Sequence, residues 1–308
     1  MSMGFSRIAE RISQAVAAQK LAGAVVAITD RGQIQRLEEF GEYRTYNIFQ
    51  IASSSKPIAA TTIFLNGPLD ERQKLLLAHS AGIFGNDTKD PVERDLLRNA
   101  GRTLAEAAAE IAKRPLIYPP GEGTKYSDAG FLLAGRAAEV AAGADFETVM
   151  RNLLLDPLGM ADTFYRTDRD VANRLAPSYE RAGGRLRRAP LQHRLKHDGL
   201  IRVGGGLFST AADLAAFLRF HLNLTNSERL AEMYRDHTRG RWHKDPMGGT
   251  NDGYGLGWQL GGGAFFHAGA FGSLIWAHPG RGIGVVLLTQ MPIIQVYPLW
   301  REIIEDLS

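Results

Sequence analysis

Ser53 and Lys56 stand three residues apart in the run Phe49-Gln50-Ile51-Ala52-Ser53-Ser54-Ser55-Lys56-Pro57. The run follows a short apolar strand-like stretch and precedes residues 58–65, which read as a helix. If Ser53 opens that helix, Lys56 falls one turn further on the same face, so hydroxyl and amine can meet. The helix N-terminus adds unpaired N–H groups and the positive end of its dipole. That is the layout of a serine nucleophile activated by a desolvated lysine. Taken alone, S-x-x-K arises by chance about once in a chain of this size and reads equally as a helix cap beside a surface lysine. Two groups further along the chain, in order, change that balance. Tyr126-Ser127-Asp128 closes a Pro/Gly-rich loop that begins at Tyr118, and it precedes a helical stretch at 131–142. His267-Ala268-Gly269 follows Phe265-Phe266 on a strand-like run, where glycine lets a substrate lie close to the backbone.

With these three groups in place, the chain resembles the serine β-lactamase and penicillin-binding-protein superfamily. The likeness is to the class C β-lactamase-like branch with its esterases and D-amino-acid peptidases. The second group approximates the branch's Tyr-x-Asn and the third its His-x-Gly. Further segments are similar in the same order: Leu77-Ala78-His79-Ser80-Ala81-Gly82, Asp156-Pro157-Leu158-Gly159-Met160, Gly205-Gly206-Leu207-Phe208-Ser209-Thr210, Tyr254-Gly255-Leu256-Gly257-Trp258 and Gly282-Ile283-Gly284-Val285-Val286. The likeness runs from about residue 22 to about residue 290, nearly the whole chain.

The resemblance implies acyl transfer in two steps. Ser53 attacks an ester or amide carbonyl, and water then hydrolyses the acyl-enzyme. Lys56 and Tyr126 share the proton traffic. The backbone N–H groups of Ser53 and Ala270 form the oxyanion hole, while His267, Gly269 and Asp128 face the substrate. No metal or cofactor is called for. Two departures from the family pattern bear on this expectation. Only 22 residues separate Lys56 from His79, so the helical region is shortened. Asp128 stands where relatives carry asparagine, and an ionised carboxylate accepts hydrogen bonds but cannot donate one to a substrate carbonyl. A carboxylate near Lys56 favours its ammonium form, makes the lysine a poorer base and shifts proton acceptance toward Tyr126. Asp128 counts against a true β-lactamase. The two departures together are the only support for a non-catalytic homologue, and the intact Ser53, Lys56 and Tyr126 make a serine hydrolase of small esters or amides the leading reading. A β-lactamase or D-Ala-D-Ala peptidase is the alternative, and a non-catalytic homologue with a binding or scaffolding role is the third reading.

The elements needed to position these groups can be outlined from pattern. A helix is expected at 5–19, strands at 24–29 and 35–40, and a mostly helical middle with segments at 102–113, 130–142 and 146–155. A helix at 211–222 is followed by strand-like runs at 255–260, 264–267, 273–277 and 283–289, and then by a helix at 297–306. Close spacing makes the four late runs an antiparallel meander. This predicts an α/β (α+β) architecture, an antiparallel sheet flanked by helices plus a helical insertion. Residues 1–60 and 185–308 would form the sheet domain and 61–184 the mainly helical one, with the active site in the cleft between them. Trp258 and Phe271 suit either an acyl pocket or the core. His79 reads as structural, bonded to a loop carbonyl. The basic stretch 181–196, with Arg185, Arg187, Arg188 and Arg194, reads as a solvated loop or as a surface greeting an anionic substrate.

Composition bounds the rest. A chain of 308 residues with 44% hydrophobic content can bury a sizeable core. A formal charge of +3 gives no nucleic-acid footprint. The absence of cysteine excludes disulfides, thiolate catalysis and cysteine-ligated metal. The start of the chain is amphipathic at Phe5, Ile8, Ile12, Ala15 and Val16 rather than continuously apolar, so no signal peptide or membrane span is expected. The expected setting is cytoplasmic and the expected partner a small ester or amide. Oligomeric state is left open.

Overall fold

The computed structural model of the protein describes residues 2–98, 101–191, 199–224, 227–242 and 252–307. Its centre is a seven-stranded antiparallel sheet. In chain order the strands are β1 (Gly23–Asp30), β2 (Ile34–Gly41), β3 (Phe49–Gln50), β4 (Ser178–Ala182), β5 (Arg185–Ala189), β6 (Phe208–Ser209), β7 (Gly253–Tyr254), β8 (Gln259–Gly261), β9 (Ala264–Ala268), β10 (Leu274–His278) and β11 (Ile283–Leu288). The large sheet runs β2-β1-β11-β10-β9-β8-β7, while β3–β6 and β4–β5 are separate two-stranded pairs. In β1, Val25 pairs with Leu288 on one side and Glu39 on the other, so early and late segments close one sheet.

The helices are α1 (Ser2–Ala17), α2 (Ser55–Leu65), α3 (Glu71–Leu77), α4 (Pro91–Arg98), α5 (Leu104–Ala112), α6 (Asp128–Ala142), α7 (Phe146–Met150), α8 (Asp156–Leu158), α9 (Ala211–Leu224), α10 (Glu228–Ala231) and α11 (Ile293–Leu307). β1 is buried at successive residues from Gly23 to Ile28. Because alternate side chains point to opposite faces, both faces of the sheet must be covered. α9 packs on β1, β2, β10 and β11, and α1 and α11 pack on each other beside β1 and β2. Arg11 of α1 ties this pair together by bonding Glu302 and Asp306 of α11.

α6 is the hub of the helical region, in contact with α2, α3, α4, α5 and α7. Ser127 caps it by accepting from the Gly130 N–H, and Gly143 ends it in the left-handed conformation. α2 is buried from Ser55 to Phe64, because it is apolar or hydroxyl-bearing on nearly every side and lies inside the protein. The main hydrophobic core runs from the sheet through α2 into the helices around α6, with a small separate cluster at Ile48, Phe164, Val171 and Phe208.

Four departures from pattern have local causes. The run 255–260 is not one strand. β7 stops at Tyr254, the chain bends through Gly257 at φ +78°, and β8 starts at Gln259. A side chain at Gly257 would meet Ala60 Cβ at 2.5 Å and the Lys56 carbonyl at 2.9 Å, so the bend exists to pass α2. The helix expected across 146–155 changes to a wider π turn over Arg151–Leu155. The described part of the basic stretch is a hairpin rather than a loop, with Ala182 paired to Arg185 across Gly183-Gly184. Arg194 and Lys196 lie outside the described residues. The segment around Phe49 gains a partner in β6. Among the described residues no helix is long and apolar enough to cross a membrane.

Candidate active site

Ser53 sits in a single 3-10 turn, Ala52–Ser54, that runs directly into α2. Hydrogen bonds at three residues fix this turn. Ile51 N–H donates to the Leu207 carbonyl at 3.0 Å, carrying on from the β3–β6 pair. Ser55 Oγ donates to the Ala52 carbonyl and accepts from Leu207 N–H. Ser54 Oγ lies 2.9 Å from Ser273 Oγ and donates to the His267 carbonyl. Ala52, just before Ser53, holds φ at +45°, a conformation that costs a residue with a side chain roughly 1–2 kcal/mol. Such strain persists only where the surroundings over-determine it, as this lattice of contacts does.

Lys56 is wholly inaccessible, whereas Ser53 is partly exposed. The ammonium nitrogen lies 3.4 Å from Ser53 Oγ, 2.5 Å from Asp128 Oδ1 and 3.0 Å from the Gly204 carbonyl. It also rests 4.5 Å from the centre of the Tyr126 ring. Lys56 and Ser53 both lie close enough to the Tyr126 hydroxyl to bear on its ionisation. Burial works against the charge on Lys56, but the Asp128 carboxylate and Tyr126 outweigh it and keep the ammonium protonated beyond its ordinary range. For Tyr126 burial is the largest influence. It lifts the phenol above its usual value although Lys56 pulls the other way. The resting site therefore pairs an ammonium with a neutral phenol.

Asp128 occupies the first position of α6, where the helix dipole suits a carboxylate. Its Oδ2 accepts from the Asn86 side-chain amide at 2.9 Å, and its N–H donates back to Asn86 Oδ1 at 2.7 Å. Asn86 N–H in turn donates to the Tyr126 carbonyl. Asn86 and the Gly204 carbonyl were not visible as site groups in the sequence. Asn86 is 42 positions from Asp128 and in no motif with it.

His267 and Gly269 take places different from those expected. His267 is buried, with Nδ1 donating to the Ala268 carbonyl at 2.8 Å and Nε2 accepting from Tyr254 OH at 3.0 Å. Burial, reinforced by the Lys56 charge, pulls its pKa down to about 3, so the imidazole is neutral near pH 7 and its two nitrogens are spoken for. Gly269 makes its close approach to the protein itself. A Cβ there would lie 2.1 Å from the Ile51 carbonyl and 2.3 Å from Ser273 Oγ. Its lack of a side chain lets the end of β9 dock on the Ser53 turn. Ala270 follows, exposed, and its N–H makes no hydrogen bond among the described residues, while its carbonyl accepts from Ile293 N–H.

His79 is buried at φ +60° in a nest of rings, 4.5 Å from Tyr126 and 4.8 Å from Tyr254. Its Nδ1 accepts from the Ser127 backbone N–H at 3.1 Å rather than bonding a loop carbonyl, so it braces the cap of α6. Burial, with Lys56 and His267 nearby, holds it well below its ordinary pKa. Trp258 is fully buried between Phe217 and Phe265 and belongs to the core, while Phe271 is partly exposed.

The chain belongs to the Beta-lactamase family, whose model matches residues 73–293. That span holds Tyr126, Asp128 and His267 and begins after Ser53 and Lys56. Penicillin-binding protein 4 of Amycolatopsis lactamdurans is 27% identical over 251 residues, covering 76% of this chain and 63% of that protein. Protein Rv1367c of Mycobacterium tuberculosis is 26% identical over 260 residues, covering 66% and 62%. The chain thus spans less than two thirds of the length of these curated relatives. Among solved structures, EstCE1, described as a hydrolase with promiscuous acyltransferase activity, superposes with a TM-score of 0.82 at 19% identity over 98% of both chains. The D-amino acid amidase of Ochrobactrum anthropi gives 0.74 at 20% identity over 99% of this chain and 98% of the amidase. At these identities the likeness is one of fold.

Proposed function

We propose that the protein is a serine hydrolase that acts through an acyl-enzyme on small esters or amides. The observation that carries this reading is the contact set around Lys56, a buried ammonium that touches Ser53 Oγ, Asp128 and Tyr126 together. A lysine with a merely structural role has no need of a partly exposed serine hydroxyl beside it. In this reading Ser53 Oγ attacks the carbonyl, and its proton enters the Tyr126–Lys56 pair. The developing oxyanion is met by the N–H groups of Ser53 and Ala270, and each such donor is typically worth ~10²–10³ in rate. The family membership and the fold shared with an amidase and with EstCE1 support acyl transfer.

The ester preference rests on what the site lacks. Asp128 cannot donate to an amide carbonyl, and neutral, engaged His267 offers no cation to a substrate carboxylate. The test is intact-protein mass spectrometry after incubation with a fluorophosphonate and, separately, with a penicillin. The fluorophosphonate is expected to add once, at Ser53, and the penicillin to add little. Ser53→Ala should abolish both the adduct and hydrolysis of a short-chain p-nitrophenyl ester, with an unchanged circular dichroism spectrum. Turnover retained in that variant removes Ser53 from the mechanism. Stoichiometric labelling by both reagents would move the assignment to the penicillin-recognising class.

A further inference from the structure

In the resting site neither partner of the serine has room for its proton. Lys56 already carries three protons and Tyr126 carries its own, each favoured by the surroundings. One group in contact with this pair is a carboxylate. Asp128 Oδ1 meets the Lys56 ammonium at 2.5 Å, its other oxygen is held by Asn86 at 2.9 Å, and its side chain is 36% exposed, whereas that of Lys56 is 0% exposed. Resting on the acyl-transfer reading above, we propose that Asp128 is the terminal acceptor of the Ser53 proton, reached through Tyr126 and Lys56.

The Ser53 Oγ–H bond breaks as Oγ bonds the acyl carbon, and that proton passes to the Tyr126 oxygen. Tyr126 passes its own proton to Lys56, and Lys56 passes one of its three to Asp128 Oδ1. The products are the tetrahedral oxyanion, a phenol, an ammonium and a neutral Asp128 carboxylic acid. On collapse the relay runs backwards. Asp128 reprotonates Lys56, Lys56 reprotonates Tyr126, and Tyr126 protonates the departing alcohol or amine. No charge is left behind, and Tyr126 and Lys56 keep their resting protonation throughout. Asn86, which grips both the carboxylate and the backbone N–H of Asp128, is the positioning residue that keeps Oδ1 on Lys56. The charged and titratable groups around Asp128 are Lys56 from α2, Tyr126 from the loop before α6 and Arg202 from the segment ahead of β6. Tyr254 and His267 from β7 and β9 stand further off.

The experiment measures the rate of fluorophosphonate labelling and of the p-nitrophenol burst from about pH 6 to pH 9. In the unmodified protein acylation should be nearly level through this range. Asp128→Asn should slow it about 100-fold or more near pH 7, the scale of a lost general base. Its rate should then climb with pH as Lys56, freed of its carboxylate, sheds a proton and accepts directly. Asp128→Glu should restore the level profile at reduced rate. Asp128→Asn acylating as fast as the unmodified protein, or Asp128→Glu keeping the climbing profile, overturns the relay. Should Asp128→Asn fail to fold, the proton inventory of acylation in the unmodified protein decides instead. Several protons in flight give a curved dependence on deuterium fraction, and a straight line overturns the relay. Failure of the unmodified protein to label at Ser53 overturns the acyl-transfer reading and the relay together, a result distinct from any of these.

Discussion

At the scale of single residues, the acyl-transfer reading couples one serine to a set of groups that would shift protons only together. Lys56→Ala and Tyr126→Phe should each depress acylation severely, and the double variant should be little worse than either, since groups acting as a unit are far from additive. Comparing burst rates of the three variants checks this, and losses that multiply would show two independent routes. Ser53, Lys56, Tyr126 and Asp128 were legible because each stands in a short motif whose spacing holds on a helix or at a helix start. The motifs could not say what surrounds them. The expectation for His267 went astray because its partners, Tyr254 and the Ala268 carbonyl, come from strand placement and not from sequence distance. Asn86 escaped notice for the same reason, because it joins Asp128 only through the fold.

At the scale of elements, β9 matters as much as α2. Gly269→Ala should push the end of β9 away from the Ile51 carbonyl and disturb the turn that presents Ser53. A displacement near 1 Å can cost about 10²-fold in rate, and overpacking a tight contact costs about 1–3 kcal/mol. Gly262→Ala is the control. Gly262 has φ +58° but nothing within 4 Å of its would-be Cβ, so it should lose about 1 kcal/mol of stability and keep its kcat. If the two variants behave alike, Gly269 has no special bearing on the serine turn. The order of helices and strands was readable from periodicity, and so was the antiparallel meander. The elements that escaped were the short or polar ones. β3 and β6 have two residues each, too few for alternation to register. The arginines of β4 and β5 masked a hairpin that the Gly183-Gly184 turn could have revealed.

At the scale of the whole molecule, three imidazoles among the described residues are buried without charge. His79 is held well below its ordinary pKa, and burial brings His221 and His267 to about 3. In the unfolded chain a histidine binds a proton near pH 6.5, so below that pH the unfolded state takes up protons that the folded state refuses. Stability should therefore fall as pH falls from about 6.5 toward 3, by up to about 1.4 kcal/mol per pH unit for each imidazole. His221 bonds Thr61 Oγ1 at 3.0 Å and Tyr234 OH at 2.5 Å, remote from Ser53, and His221→Gln should reduce that slope by one proton's share. Thermal unfolding from pH 7 to pH 4.5 measures it, and an unchanged slope in the variant would mean that His221 does not contribute. The central place of β1 carries a different consequence, one of timing. A ribosome delivers Ser53, Lys56, Tyr126 and Asp128 long before β9, β10 and β11, yet β1 is completed only when Val25 finds Leu288. Closing so long a loop is slow, because its entropy is lost before the contacts repay it. A growing chain halted before residue 264 would already hold Ser53, Lys56, Tyr126 and Asp128 and the β3–β6 side of the Ser53 turn, but not the end of β9 that docks on its other side. On the acyl-transfer reading the molecule would be chemically silent during its own synthesis, its first turnover waiting for the last strands.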